Sequence, residues 1–212
     1  ETAMLSCPQT DVEAGQEVSC YYTVKVDAGT EEPLQSTMDL ILDATSNAFI
    51  VRFENGADIT STRGLQYLGE NTFGVSVTPK HAGDATIALF HQAESLRDAA
   101  SPVKLSVSPS DVSVAKSVFK CENAAAGTPV VCYINLKDDF GNSGGDESIL
   151  SELQIFSADF PELEATFSWL RSKKKAAFDV SVEITGMNAE GTYELSLLDG
   201  VGTSVLGKTK IT

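Results

Sequence analysis

Four cysteines, arranged as two pairs, are the residues of this 212-residue chain best suited to covalent chemistry. The first pair, Cys7 and Cys20, is 13 residues apart, and the second, Cys121 and Cys132, is 11 residues apart. Each pair brackets a predicted turn between two strands, and adjacent antiparallel strands bring side chains to disulfide distance. We therefore predict one disulfide within each pair. The alternatives are four buried thiols and zinc ligation, and the long spacing disfavours zinc.

A glycine-rich stretch at 141–145, Gly-Asn-Ser-Gly-Gly, looks like the nucleophile loop of a chymotrypsin-like serine protease. Such a protease needs a histidine base and an aspartate that orients it. The two histidines, His81 and His91, lie in the other half of the chain, in a predicted turn and on a predicted strand. A turn that requires positive φ explains the glycines better, so we predict that the chain is not an enzyme.

Neighbouring acidic residues could bind calcium if their carboxylates converged. The pairs are Glu31-Glu32, Asp138-Asp139 and Asp146-Glu147. None shows the alternating aspartate spacing of a calcium loop, which favours solvent-exposed loops instead. We therefore expect no metal and no other cofactor.

The chain is strongly acidic, with 15 lysines and arginines, 30 aspartates and glutamates, and a formal net charge of −15. Such a surface repels phosphate backbones and anionic headgroups, which argues against nucleic acid as a partner and against docking on an acidic membrane. No stretch approaches the roughly 18 apolar residues of a membrane-spanning helix, so we expect no membrane insertion by this segment. Because it begins at Glu1 without a signal-like segment, we expect it to be part of a longer, membrane-anchored chain.

An internal repeat organises the chain. Val-Ser-Cys-Tyr-Tyr-Thr-Val at 18–24 corresponds to Val-Val-Cys-Tyr-Ile-Asn-Leu at 130–136, and Phe-Gly-Val-Ser-Val at 73–77 corresponds to Phe-Asp-Val-Ser-Val at 178–182. Apolar and polar residues alternate within each copy, which is typical of half-buried strands. The pattern predicts an all-β fold of two tandem immunoglobulin-like β-sandwich domains, residues 1–108 and 109–212.

The alternation predicts about seven strands in each copy, as in a two-sheet sandwich. In the first copy they are 3–8, 17–26, 37–43, 49–54, 72–78, 85–91 and 102–107. In the second they are 114–121, 129–137, 150–157, 163–169, 177–184, 192–198 and 205–211. The segment 55–71 is predicted to be a surface loop, because extra length in a sandwich is accommodated at its ends.

Several of these segments resemble filamin-type immunoglobulin-like repeats. The first copy has Thr78-Pro79 and Ala82-Gly83 before its sixth strand and Ser101-Pro102 at the start of its last strand. In the second copy, Asp-Asp-Phe-Gly-Asn at 138–142 is similar to the turn after the second strand of that family. The second copy departs from the pattern at Leu206-Gly207-Lys208, where the Ser-Pro opening is missing. The resemblance covers both copies and implies peptide recognition by strand addition at a sheet edge.

Oxidised cysteines indicate a compartment outside the cytosol, unlike that of the cytoskeletal filamins. Extracellular filamin-type repeats occur in cell-surface adhesion proteins, including those of gametes. The resemblance therefore implies an extracellular ectodomain fragment that mediates adhesion or protein recognition, with a cell-surface receptor or the same protein on another cell as partner. The alternatives are a structural spacer without a ligand of its own and an intracellular filamin-like linker that binds peptides.

The expected partner site lies in the first copy. The edge strands of filamin-type repeats that bind peptides correspond to 37–43 and 49–54, and the adjacent loop offers further apolar side chains. The candidate contact residues are Leu40, Ile41, Leu42, Leu65, Tyr67 and Leu68. The alternative is that charged residues such as Arg52 protect this edge from pairing. Lys173, Lys174 and Lys175 are predicted to form a solvated turn, and Trp169 is predicted to pack on the core.

Overall fold

The computed structural model describes residues 3–24, 49–53, 59–61, 66–69, 72–91, 94–95, 102–170, 178–202 and 204–212. The chain divides into two compact units, unit 1 (residues 1–108) and unit 2 (residues 109–212). Both are all-β, and the helices in the described residues are two short 3₁₀ helices of unit 2. The predicted strand 37–43 and the lysine run 173–175 lie outside the described residues.

The described strands of unit 1 form a sandwich of two sheets. Its described strands are β1 (Ala3–Ser6), β2 (Asp11–Glu13), β3 (Val18–Val24), β4 (Phe49–Phe53), β5 (Ile59–Ser61), β6 (Gln66–Gly69), β7 (Thr72–Pro79), β8 (Gly83–His91), β9 (Glu94–Ser95) and β10 (Val103–Ser108). One sheet has the order β1-β3-β7, with β5 and β6 following one another along the far side of β7. The other has the order β2-β10-β8-β4, with β9 also pairing with β8. The pairing of β2 with β10 is parallel.

The core of unit 1 follows from the alternation in its sequence. Phe73, Val75 and Val77 of β7 are buried, whereas the residues between them are only partly buried. Leu105 and Val107 of β10 face the same core from the opposite sheet. A side-chain period of two on each strand therefore places one apolar face of each sheet inside the sandwich.

Unit 2 repeats this plan. Its strands are β11 (Val118–Cys121), β12 (Val130–Asn135), β13 (Gln154–Phe156), β14 (Glu164–Trp169), β15 (Val180–Thr185), β16 (Gly191–Leu198) and β17 (Ser204–Ile211). One sheet has the order β11-β12-β15-β14 and the other β13-β16-β17. Ile134, Val182 and Leu197 are fully buried in the core between the sheets. Trp169 is partly buried and packs against the same core, in agreement with its predicted role.

Three sequence predictions need correction. The prediction that 55–71 is a surface loop is wrong for its described residues, because β5 and β6 pair with β7. Each is only three or four residues long, too short for alternation to be recognised. The predicted strands 114–121 and 150–157 both begin too early. A 3₁₀ helix at Val114–Lys116 occupies the start of the first, and a 3₁₀ helix at Glu147–Ser151 overlaps the start of the second, so that the strands begin at Val118 and Gln154. No helix in the described residues is long and apolar enough to cross a membrane.

Candidate functional site

In unit 2 a disulfide joins β11 to β12, and in unit 1 a disulfide joins the residue that follows β1 to β3. In unit 2, Cys121 and Cys132 are direct partners in the register of β11 and β12, with 3.9 Å between their Cα atoms. In unit 1, Cys7 and Cys20 extend the pairing of Ser6 with Tyr21 by one position, with a Cα separation of 4.2 Å. The structure thus contains both predicted bridges, and no cysteine is free.

The bridges are parts of the two cores. Cys20 and Cys132 are fully buried, and Cys7 and Cys121 are nearly so. Each bridge fixes the first strand of its unit, β1 or β11, to the neighbouring strand. Because both strands lie at the edge of their sheet as far as the structure describes it, the bridges hold the elements that would otherwise separate first. In a reducing compartment such bridges are rare.

Asp138 is the centre of a hydrogen-bond network in unit 2 and is fully buried. Its Oδ1 accepts from the backbone N–H groups of Phe140 at 2.9 Å and Asn142 at 2.8 Å. Its Oδ2 accepts from the side-chain amide of Asn142 at 2.8 Å and from the backbone N–H of Ser110 at 3.1 Å. The solvent-exposed interpretation of this acidic pair is therefore wrong for Asp138, although Asp139 is exposed.

The hydrogen bonds decide the charge state of Asp138. Burial raises the pKa of its carboxyl. The hydrogen bonds from Asn142, Ser110 and Phe140 together lower the pKa by more than burial raises it, so the net shift is downward. The carboxylate is therefore ionised at neutral pH and acts as an acceptor for the turn at 138–142 and for Ser110. Since protein donors occupy both oxygens, this carboxylate is not arranged as a calcium ligand.

Asp146 and the glycine-rich stretch at 141–145 form turn structures, whereas Glu31 and Glu32 lie outside the described residues. Asp146 caps the second 3₁₀ helix by accepting from the backbone N–H of Ser148, and the hydrogen bonds from Ser148 lower the pKa of Asp146. Gly141 and Gly145 have φ values of 86° and 82°, as the turn prediction requires. Ser143 Oγ accepts a hydrogen bond from Lys137 Nζ at 2.8 Å, and this hydrogen bond is exposed on the surface of the turn. In the described part of the chain, no group of three or more histidine, cysteine, aspartate or glutamate side chains could hold a metal ion.

Of the six predicted partner-contact residues, the structure describes Tyr67 and Leu68. Both lie on β6, whose pairing with β7 shifts in register between Tyr67 and Gly69, and as successive residues of a strand they direct their side chains to opposite faces of the sheet. The Tyr67 ring packs on Phe73 with 5.4 Å between centroids, and Leu68 Cδ1 lies 3.1 Å from where a Cβ on Gly74 would stand. Even so, Tyr67 is 41% exposed and Leu68 52% exposed. They therefore cover the sheet and still present apolar surface to solvent.

The other four candidates, Leu40, Ile41, Leu42 and Leu65, lie outside the described residues. Of the predicted edge, β4 is described and pairs with β8, with Phe49 opposite His91. Sequence reasoning missed the network of Asp138. Its partner Ser110 is 28 residues away in the chain, and no local pattern links the two positions.

No protein-family profile and no curated protein sequence matches the chain. Among solved structures, the Escherichia coli adhesin FdeC is 16% identical over 99% of this chain and 62% of its own, with a TM-score of 0.48. Invasin, a bacterial integrin-binding protein, is 13% identical over 99% of this chain and 40% of its own, also with a TM-score of 0.48. Domains 5–6 of the S-layer protein SbsC are 19% identical over 100% of this chain and 96% of their own, with a TM-score of 0.32. Values this low carry no inference about function.

Proposed function

We propose that this chain is an extracellular segment of a membrane-anchored cell-surface protein and that it mediates adhesion or protein recognition. The observation that carries the proposal is the equivalent buried disulfide in each unit. Stable disulfides are typical of proteins outside the reducing cytosol. The net charge of −15 disfavours nucleic acid and anionic membrane surfaces as partners, and we propose a protein as the partner.

Within unit 1, we propose that the pair Tyr67 and Leu68 contacts the partner. The two residues present an aromatic ring and a leucine side chain from successive positions of an edge strand, one on each face of the sheet. Neighbouring exposed apolar residues, especially aromatic ones, are typical of interface anchors.

The corollary that the adhesion takes place between gametes is a narrower proposal, and it rests on the resemblance to extracellular filamin-type repeats.

A bead assay tests the proposal. Fluorescent beads coated with the oxidised chain are expected to bind cells that carry the partner or to cluster with one another, whereas a structural spacer would do neither. Beads coated with the reduced and alkylated chain control for charge, since that chain keeps the same acidic composition. For the gamete corollary, binding to gametes is expected to exceed binding to vegetative cells of the same organism. Equal binding of native and alkylated beads would contradict specific recognition.

Leu68→Ser tests the proposed contact. If Leu68 is an anchor, bead binding should fall by about tenfold, the effect of losing a well-buried interface side chain. Met4→Ser is the matched control, because Met4 is also 52% exposed and lies on β1, at the opposite end of the same sheet. Equal binding by the two variants would exclude Leu68 from the interface without affecting the proposed function as a whole.

A further inference from the structure

Strand β14 (Glu164–Trp169) is an edge strand of unit 2 that pairs with β15. The backbone N–H of Leu170 donates to the carbonyl of Asp179 at 2.8 Å, which continues the register of this pair. Hydrogen-bonded residues alternate along an antiparallel strand, so the even-numbered residues of β14 face β15. Ala165 and Phe167 therefore direct their backbone N–H and C=O groups away from the sheet. Within the described residues, no backbone group pairs with them on that side.

The equivalent edge of unit 1 is built differently. There, two short strands, β5 and β6, occupy the position of β14, and a register shift interrupts β6. Short, interrupted and bulged strands protect sheet edges from pairing with other chains. In contrast, β14 is a continuous strand of six residues, Glu-Ala-Thr-Phe-Ser-Trp, without a register shift and without proline, glycine or lysine. The protection present in unit 1 is thus absent from unit 2.

The side chains of β14 are arranged to suit an additional strand. Ala165, Phe167 and Trp169 lie on the inner face and are only partly buried, although they pack against the core. Thr166 and Ser168 are exposed on the outer face. An added strand would continue both faces, because it would cover the half-buried inner residues and supply partners for the outer hydroxyl groups.

We propose that β14 of one copy pairs antiparallel with β14 of a second copy, with a two-fold axis at Phe167. In this register, Ala165 faces Trp169 of the second copy, so that a small side chain lies opposite a large one. The same register places Thr166 opposite Ser168 and aligns the outward backbone groups of Ala165 and Phe167 with those of the second strand. The inference rests on the proposed recognition function, since it names a second copy of this chain as one partner.

Charge favours a second copy as the occupant. Glu162 and Glu164 are exposed at the start of β14, whereas the sequence after Leu170 continues with Arg171, Lys173, Lys174 and Lys175. In an antiparallel pair, the acidic start of each strand lies beside the end of the other strand. In the sequence, that end is followed by the basic residues. The pairing also separates the two copies of Glu164 by six positions, so that no like charges stand opposite one another. A basic peptide from another protein would be the rival occupant.

Sedimentation velocity of the oxidised 212-residue chain, over about three decades of concentration, tests the pairing. We expect a reversible monomer–dimer equilibrium, and we expect Ala165→Pro to weaken it by about tenfold or more. The N–H of Ala165 points away from β15, so proline removes an outward donor without breaking the ladder inside unit 2. Ala165→Ser keeps that N–H and is the matched control. A chain that stays monomeric throughout would overturn the proposal.

Two double variants test the register. T166K/S168K would place lysines opposite one another twice in the dimer, whereas T166K/S168E would place a lysine opposite a glutamate twice. Because both positions are exposed, neither variant should disturb the fold, and the unfolding transition followed by tryptophan fluorescence checks this. The dissociation constant of the first variant should exceed that of the second by about tenfold. Equal dissociation constants would overturn the pairing centred on Phe167.

These outcomes are separable from the proposed function. If the chain is monomeric but its beads still bind cells, the recognition function stands and the partner is another protein. If a lysine-containing peptide binds the monomeric chain and Ala165→Pro abolishes that binding, the edge is used by a different partner and self-pairing is wrong.

Discussion

Replacing both Cys121 and Cys132 with alanine is expected to lower the free energy of unfolding of unit 2 by about 3 kcal/mol. The bridge closes a short loop between β11 and β12, and its removal frees conformations of the unfolded chain. The loss of buried sulfur atoms from the core acts in the same direction, since Cys132 is fully buried. The edge strand β11 should become the first part of unit 2 to exchange its amide protons.

Tryptophan fluorescence during urea denaturation measures this loss in unit 2 alone, because Trp169 is the single tryptophan of the chain and belongs to unit 2. The control is the corresponding double alanine variant of Cys7 and Cys20, which removes the bridge of unit 1. That variant should leave the fluorescence transition close to that of the parent chain. A loss below about 1 kcal/mol in the unit 2 variant would contradict the expected contribution of this bridge to stability.

Replacing Asp138 with alanine is expected to destabilise unit 2 by about 1–3 kcal/mol, because the partly buried donors that point at the carboxylate would lose their acceptor. Those donors are the backbone N–H groups of Ser110, Phe140 and Asn142 and the side-chain amide of Asn142. Asp139→Ala is the matched control, since its side chain is exposed, and it should change stability by no more than about 0.5 kcal/mol. Equal losses in the two variants would contradict a structural role for the network.

The same variant has an expected pH dependence. The pKa of Asp138 is lowered in the folded state, so its carboxylate contributes stability above the pKa of the unfolded chain, about 3.9. That contribution is lost as the pH falls through the lowered folded-state pKa. The difference in stability between the parent and Asp138→Ala should therefore be constant near neutral pH and shrink below about pH 4. A difference that persists unchanged in acid would assign the loss to packing and not to charge.

The long strands β7, β12 and β16 were predictable from the sequence. Apolar and polar residues that alternate over six or more positions indicate a strand with one buried face. The cysteine pairing was predictable because each copy of the repeat contains one pair of cysteines, and the two pairs occupy equivalent positions. Shorter elements were missed for a physical reason. Strands such as β2 and β5 have three residues, and their conformation depends on pairing with distant strands more than on their own side chains.

The functional surfaces were harder to predict than the fold. Asp138 reads as one of several acidic pairs, although it continues the alternation of buried positions at 130, 132, 134 and 136. Its hydrogen bond with Ser110 depends on the approach of a distant segment. The difference between the edges of the two units depends on register and continuity along β6 and β14, neither of which is visible in composition. Tyr67 and Leu68 were recognised as apolar residues, but their position on a bulged strand was not.

Disulfide mapping of the native protein tests the central claim most directly. The protein would be isolated from its source with thiols blocked at once by an alkylating agent, digested without reducing agent, and analysed by mass spectrometry. An extracellular recognition segment predicts peptides linked through Cys7 and Cys20 and through Cys121 and Cys132, with no alkylated cysteine. Alkylated thiols at these positions, or a bridge that joins the two units, would contradict the proposed compartment and with it the proposed function.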